Sequence, residues 1–385
     1  MKQRRDLYLM AASLLAWGMG EGLFIFFQPL YIQELGADPI LIGTILGASA
    51  VIMALAQIPI GYLSDHYGRR PILWTSWVLG VVTVLIMALA RNLAVFVIGL
   101  LFYSLTAAVL APLNSYVAAA RGDWSVGKAL SFISASYSVG SGFAPMAGGM
   151  IAERYGLRTI YFVSSVIFLV STIIVFFIRK QPVAVHEEHV KKFALLHNSR
   201  FILSLGMIGM ITFAIYLPIP LTSNFLQNER GLSLTSIGQL GTLQNIGNVI
   251  FLLALGHIPV INAFVIGEIT MIGYSLLLWL GTGKPWYALA YMLSGGYRLS
   301  RALSSAFIRP LVKEAQVGLA FASVETAGTL AIILAPVLAG FLYDQNPESV
   351  YMVSLIILGA SLCLTLLVRH FRGALKKRLS GSSPE

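Results

Sequence analysis

The sequence predicts an all-α membrane protein with twelve transmembrane helices in two pseudo-symmetric six-helix bundles. Three observations predict it. The 385 residues are 57% hydrophobic and 11% charged, whereas soluble domains carry about 25% charged residues. Apolar runs of roughly 20 residues, each long enough to cross a bilayer, recur twelve times between short polar breaks. The two halves of the chain also share a pattern of glycines and prolines. Such a composition excludes a water-soluble globular protein and a disordered one. Twelve spans leave no room for a soluble catalytic domain.

The spans are read at 7–31, 41–62, 72–90, 93–118, 126–151, 159–178, 201–226, 234–255, 260–280, 286–312, 317–343 and 349–368. The first follows Lys2, Arg4 and Arg5, as a signal peptide would. At about 25 residues it exceeds a signal h-region and is kept as a span. The longest connection, polar and charged, falls between spans six and seven. The expected organisation is therefore an N-terminal bundle over residues 1–180, a cytoplasmic linker over 181–200 and a C-terminal bundle over 201–369. A disordered basic tail is expected over 370–385.

Charge sets the orientation. The net charge is +10, and nineteen of the 26 lysines and arginines fall on the side holding both termini. Only Arg91, Arg154, Arg158, Arg230 and Lys284 fall opposite. Positive loops stay inside, so both termini are expected in the cytoplasm and the protein in the plasma membrane. The basicity is a topology signal and calls for no nucleic acid. A single cysteine, Cys363, and six histidines at loops or loop edges argue against a disulfide framework, a metal centre or a histidine proton relay. No cofactor is expected, and a monomer in the lipid bilayer is.

The halves repeat. Val126-Gly127, Ala144-Pro145 and Gly148-Gly149 recur as Val317-Gly318, Ala335-Pro336 and Ala339-Gly340, each 191 residues on. Two six-span halves so related predict a pseudo-twofold transporter with its site where the halves meet.

Between spans two and three stands Gly61-Tyr62-Leu63-Ser64-Asp65-His66-Tyr67-Gly68-Arg69-Arg70-Pro71. This resembles the G-x-L-x-D-x-x-G-R-R loop of the major facilitator superfamily, and the spans, central loop and half-repeat agree with it. Gly61 and Gly68 permit tight packing and turning. The resemblance implies a cytoplasmic gate in which Asp65, Arg69 and Arg70 make breakable pairs, with Arg121 as a candidate partner for the acid. Two departures bear on the family's proton-linked drug exporters. Their span-four arginine, about twelve residues before the proline, is Leu100 here. Span five, Gly140-x-x-x-Ala144-Pro145-x-x-Gly148-Gly149, is similar to the exporter signature, but Ala144 replaces its glycine. It is read as packing and bending geometry.

Five charges lie within spans: Glu21, Glu268, Arg298, Arg301 and Glu325. Each costs roughly 2.5–3.5 kcal/mol on insertion scales, which only water, a partner or a substrate offsets. On span ten, Tyr287, Tyr291, Ser294, Arg298, Arg301 and Ser305 share one helical face. The resemblance makes spans one, four, seven and ten the cavity lining. Arg301 and Glu325 each lie eight residues, about 12 Å, from the cytoplasmic ends of adjacent spans, so they are expected to pair. Glu21, flanked by Gly18, Gly20 and Gly22, sits mid-span. Glu21 and Glu325 are the candidate proton-coupling carboxyls. Arg298, Arg301, Tyr291, Gln28, Tyr103, Asn114 and Tyr216 are the candidate substrate-binding residues. Tyr103 and Asn114 are expected on one face of span four. Glu268 is on span nine, which the resemblance makes a peripheral span, and is assigned no role.

The expectation is a proton-coupled secondary transporter of a small organic solute. A passive facilitator and a multidrug-type efflux pump are the alternatives. An intramembrane enzyme or a non-transporting sensor is remote, since no H-E-x-x-H, Walker A loop or Ser-His set is present.

Overall fold

The structure is a computed structural model that describes residues 4–181, 198–255, 257–312 and 317–380; the side chains of Asp65, Arg200, Val317, Gly318 and residues 371–380 lie outside that description. Its helices are α1 (Arg5–Phe24), α2 (Gln28–Glu34), α3 (Pro39–Tyr67), α4 (Arg69–Leu89), α5 (Leu93–Ser104), α6 (Leu110–Ala120), α7 (Val126–Tyr155) and α8 (Leu157–Phe176). There follow α9 (Ser199–Tyr216), α10 (Thr222–Asn228), α11 (Leu234–Leu255), α12 (Val260–Leu280), α13 (Lys284–Leu293), α14 (Gly295–Ile308), α15 (Val317–Gln345) and α16 (Ser349–Ser380). The protein is all-helical, and nine helices among the described residues are long and apolar enough to cross a membrane. The remaining expected spans fall on α7, on α9 with α10, and on α13 with α14.

Local chemistry sets the ends. Asp38, Asn92 and Ser125 cap α3, α5 and α7 by accepting from Leu41 N (2.7 Å), Val95 N (3.0 Å) and Lys128 N (3.2 Å), each satisfying an orphan N–H. Gly68 (φ 89°) and Gly156 (φ 87°) turn the chain between α3 and α4 and between α7 and α8, a conformation open to glycine.

Spans one, four, seven and ten are not single helices. Span one breaks at residues 25–27, before Pro29, and span seven at 217–221, around Pro218 and Pro220. Proline has no N–H and crowds the preceding turn, so the ladder stops there. Span four passes through a 3₁₀ segment at Leu105–Val109, and span ten changes helix at Ser294 before Gly295-Gly296. The half-repeat is thus a repeat of interruptions. By contrast α7 and α15 run through Pro145 and Pro336, each the twentieth residue of its helix.

Two compact units emerge. One holds Met1–Glu188 and Pro220–Asn245, the other His189–Ile219 and Ile246–Glu385. This differs from a boundary confined to 181–200, of which 182–197 lie outside the described residues. Residues 220–245 belong to the first unit and hydrogen-bond to it. Asn224 Nδ2 donates to the Pro29 carbonyl (3.3 Å) and Gln33 Oε1 (2.5 Å). Thr235 N donates to Glu153 Oε2 (2.8 Å) and Asn245 Nδ2 to the Ser141 carbonyl (2.9 Å). The tail departs from expectation as well. α16 continues to Ser380 through Ala374, Leu375, Lys376 and Lys377, all good helix formers. Residues 381–385 lie outside the described residues.

Within the first unit α1 packs on α7 and α8. A Cβ at Gly18 would collide with the Tyr137 carbonyl, one at Gly140 with the Leu15 carbonyl, and one at Gly148 with the Leu23 carbonyl. The glycines of α1 and of the exporter-like segment therefore bring two backbones into contact, the packing role read from span five. Trp17 stacks on Phe168 at 4.1 Å. Trp77 Nε1 donates to Ser13 Oγ (2.8 Å) and Ser171 Oγ (3.0 Å). In the second unit α12 lies between α14 and α16, and α9 packs on α15. Leu55, Ile58, Leu203, Leu253 and Ile356 are more than two thirds exposed. Apolar residues outside and small polar ones inside suit a protein solvated by lipid.

Candidate functional site

In the first unit the polar centre is Glu21, on the last turn of α1. Tyr103 OH donates to its Oε1 at 2.9 Å and Tyr137 OH to its Oε2 at 2.7 Å. Tyr103 closes α5 and Tyr137 comes from α7. Around them stand Trp17, stacked 6.5 Å from Tyr103, Phe24 at 5.6 Å and Phe168 at 6.2 Å. Glu21 is thus a carboxyl held by two phenols inside an aromatic wall. Charge-assisted bonds of this kind hold a carboxylate at depth and orient it. Gln28 is buried at the start of α2.

In the second unit Arg301 Nη2 donates to Glu325 Oε2 at 2.8 Å, joining α14 to α15. The pair expected from depth is present, and it is not sealed: the side chains are 28% and 57% exposed. Gly328, one turn after Glu325, leaves room for the guanidinium. Arg301 Nη1 is buried with no hydrogen-bond partner among the described residues. Arg298 is exposed, on the side of α14 opposite the Gly296–Ser300 contact with α12. Tyr216, the last residue of α9, lies 5.5 Å from Tyr297. Tyr291 is buried, 6.1 Å from Tyr274.

Two expected faces are split. Tyr287, Tyr291 and Ser294 are buried, while Arg298 is exposed and Arg301 and Ser305 are half-buried. The polar stripe of span ten is therefore not continuous. The helix restarts at Gly295, whose missing side chain lets α14 meet the Gly247 backbone. Likewise Tyr103 is buried against Glu21 whereas Asn114 is exposed on α6. Five residues of 3₁₀ helix at three per turn add about 100° of rotation between them, which moves Asn114 off the tyrosine's face.

The loop at 61–71 is partly described. Gly68 makes the turn. Gly61 makes no close approach among the described residues: a Cβ there would meet nothing within 4 Å. Arg69 Nη1 donates to the Ser115 carbonyl (3.2 Å) and to Gln181 Oε1 (3.4 Å). Arg70 lies over the Trp74 ring at 3.9 Å. Arg121 Nη1 donates to the Ala118 carbonyl of its own helix (2.5 Å). The Asp65 side chain lies outside the described residues, so its expected pairing does too. No group of three or more metal-ligating side chains occurs among the described residues.

Sequence reading missed Tyr137 and Tyr297. Tyr137 had a signal, since it leads Ser141, Ala144 and Gly148 at helical spacing on the glycine face of span five. Tyr297 had none beyond adjacency to Arg298.

A family model described as Major Facilitator Superfamily matches residues 9–296 and 205–384. Multidrug resistance protein MdtG of Salmonella arizonae is 30% identical over 218 residues, 54% of this chain and 54% of that protein. Uncharacterized MFS-type transporter MJ1560 of Methanocaldococcus jannaschii is 26% identical over 174 residues, 45% of each. The chain spans about half the length of these curated relatives. Among solved structures, nucleoside transporter NupG superposes with a TM-score of 0.79 at 14% identity, covering 94% of this chain and 98% of that one. A peptide transporter POT in complex with sulfate reaches 0.78 at 14% identity, covering 96% and 95%. At such identities the likeness is one of fold.

Proposed function

The chain belongs to the Major Facilitator Superfamily, and from that premise we propose that it is a proton-coupled secondary transporter moving a small organic solute by rocking-type alternating access. One observation carries the reading. Glu21, Tyr103, Tyr216, Tyr291 and Arg298 each lie within a few residues of the interruption in their span. Broken helices leave backbone groups and small residues at depth, where transporters bind substrate and coupling ions. Both termini then face the cytoplasm of the plasma membrane, as the loop charges require.

The roles follow from chemistry. Arg298, exposed on α14, is the group offered to an anionic or polar substrate, with Tyr216 and Tyr291 beside the same pair of interruptions. Gln28 and Asn114 serve as neutral contacts. Glu21 exchanges the coupling proton, its two phenols holding the carboxylate when the proton has left. The Arg301–Glu325 pair breaks when Glu325 is protonated, which frees the guanidinium for substrate. At the cytoplasmic loop, Gly61, Asp65, Gly68, Arg69, Arg70 and Arg121 form the gate. The protein works as a monomer without a cofactor.

A second reading is drug efflux. MdtG is named a multidrug resistance protein, and the aromatic wall around Glu21 suits an amphiphilic cation. Leu100 stands where the family's drug–proton exporters carry arginine, which favours the broader reading.

A thermal-shift screen across drugs, sugars and organic acids identifies the ligand, since a ligand of the native state raises its apparent stability. Flux of that ligand into proteoliposomes is then measured with and without a pH gradient. Gradient-driven accumulation that Glu21→Gln reduces to passive equilibration supports proton coupling. Flux indifferent to the gradient makes the protein a facilitator.

A further inference from the structure

Glu268 is the one fully buried acid among the described residues, and nothing in the transport reading uses it. It lies on α12, eight residues and about 12 Å inside the start of that span. Ser361 Oγ of α16 donates to its Oε1, and Thr365 Oγ1, one turn on, lies 3.3 Å from the same oxygen. Its Oε2 is buried and has no hydrogen-bond partner among the described residues.

Among the described side chains its surroundings offer no counter-charge. The charged or titratable groups with described side chains on its own helix and on those packed on α12 are Tyr274 on α12, Tyr216 on α9, and Lys284, Tyr287 and Tyr291 on α13. Those of α14 are Tyr297, Arg298 and Arg301, and those of α16 are Tyr351, Cys363, Arg369 and His370. None of them reaches the carboxyl among the described residues. Arg301 is committed to Glu325, and Arg298 points from the far side of α14. A fixed carboxylate at depth would face two hydroxyls only, and an unpaired intramembrane charge is costly. A carboxylic acid fits the same cage, because a hydroxyl can both give and accept a hydrogen bond.

The preceding residue ties this carboxyl to α14. A Cβ at Gly267 would collide with Ser300 Oγ and approach the Gly296 carbonyl at 2.9 Å. The backbone of α12 is therefore locked to α14, the helix of Arg298 and Arg301, while the carboxyl faces α16. A tilt of α14 that carried α12 with it would move Glu268 relative to Ser361 and Thr365.

We propose that Glu268, caged by Ser361 and Thr365, is a second proton-exchanging site, remote from the substrate residues, that gives up its proton when α12 moves against α16. The carboxylic O–H bond breaks, the proton passes to water admitted between the helices, and the carboxylate keeps the electron pair. The link to transport rests on the reading above; the protonation site itself does not.

The test is infrared difference spectroscopy of the purified full chain in lipid nanodiscs, titrated with pH. We expect a protonated-carboxyl C=O band that titrates in the wild type and in Glu21→Gln, and that is lost in Glu268→Gln. Should Glu268→Gln fail to fold, Ser361→Ala with Thr365→Val must shift the band's frequency and midpoint. A band unchanged by these substitutions overturns the proposal. So does a sodium-specific thermal stabilisation, against choline, that Glu268→Gln abolishes, since the cage then holds a metal cation. Flux without pH dependence alongside a titrating Glu268 band overturns the coupling reading alone.

Discussion

At the scale of single residues, what matters is whether a membrane-buried charge has a partner inside the fold. Arg301 has one and Arg298 is left exposed. Arg298→Ala is therefore expected to abolish transport with a stability change within about 0.5 kcal/mol, the usual range for a substitution away from packed features. Arg301→Ala should both lower transport and destabilise, because Glu325 loses its partner. Thermal midpoints of the two variants, beside proteoliposome flux, separate these outcomes. Normal transport by Arg298→Ala would remove the residue from the substrate path. Outside the membrane spans, Glu34 at the end of α2 is exposed, and partial desolvation raises its pKa from 4.5. Its proton is held more tightly in the folded state, so the group's contribution to stability is greatest at acid pH and declines as pH rises. Glu34→Gln should raise the thermal midpoint slightly at pH 7 and leave it unchanged below about pH 4.

At the scale of elements, glycines of equal prominence in the sequence do different work. Gly140 touches the Leu15 backbone, whereas Gly61 faces open space within α3. Gly140→Ala is expected to cost about 1–3 kcal/mol through overpacking of α1 on α7. Gly61→Ala should gain up to about 1 kcal/mol, as alanine does in a helix interior. Denaturation of both variants in the same detergent measures the contrast, and a destabilised Gly61→Ala would restore a packing role to the loop glycine. The interruptions of the four spans also belong to this scale. Proline at 29, 218 and 220 foretells two of them. The 3₁₀ segment at Leu105–Val109 has no breaker residue inside it, and it moved Asn114 away from Tyr103.

At the scale of the whole molecule, the charge of the loops predicts the orientation of the chain. In a Cys363→Ser background, Glu229→Cys should react with a membrane-impermeant maleimide in intact cells, and Lys180→Cys only after lysis. Reversed labelling would invert the topology. The half-repeat acts at this scale as well. Each half breaks its first and fourth spans and carries a long proline-containing fifth helix unbroken. Yet the compact units do not follow the halves, since residues 220–245 belong to the first unit and hydrogen-bond to it.

Residue order by itself determined the solvent, the apolar runs and the family loop at 61–71. These depend on transfer free energies and local chemistry that add along the chain, so they can be read without neighbours. Tertiary structure alone decided that two tyrosines from different helices hold Glu21, that Arg298 is left exposed, and that Glu268 faces hydroxyls. Each is a question of which distant backbone comes close enough to donate or accept a hydrogen bond, and no sum over the sequence contains that distance.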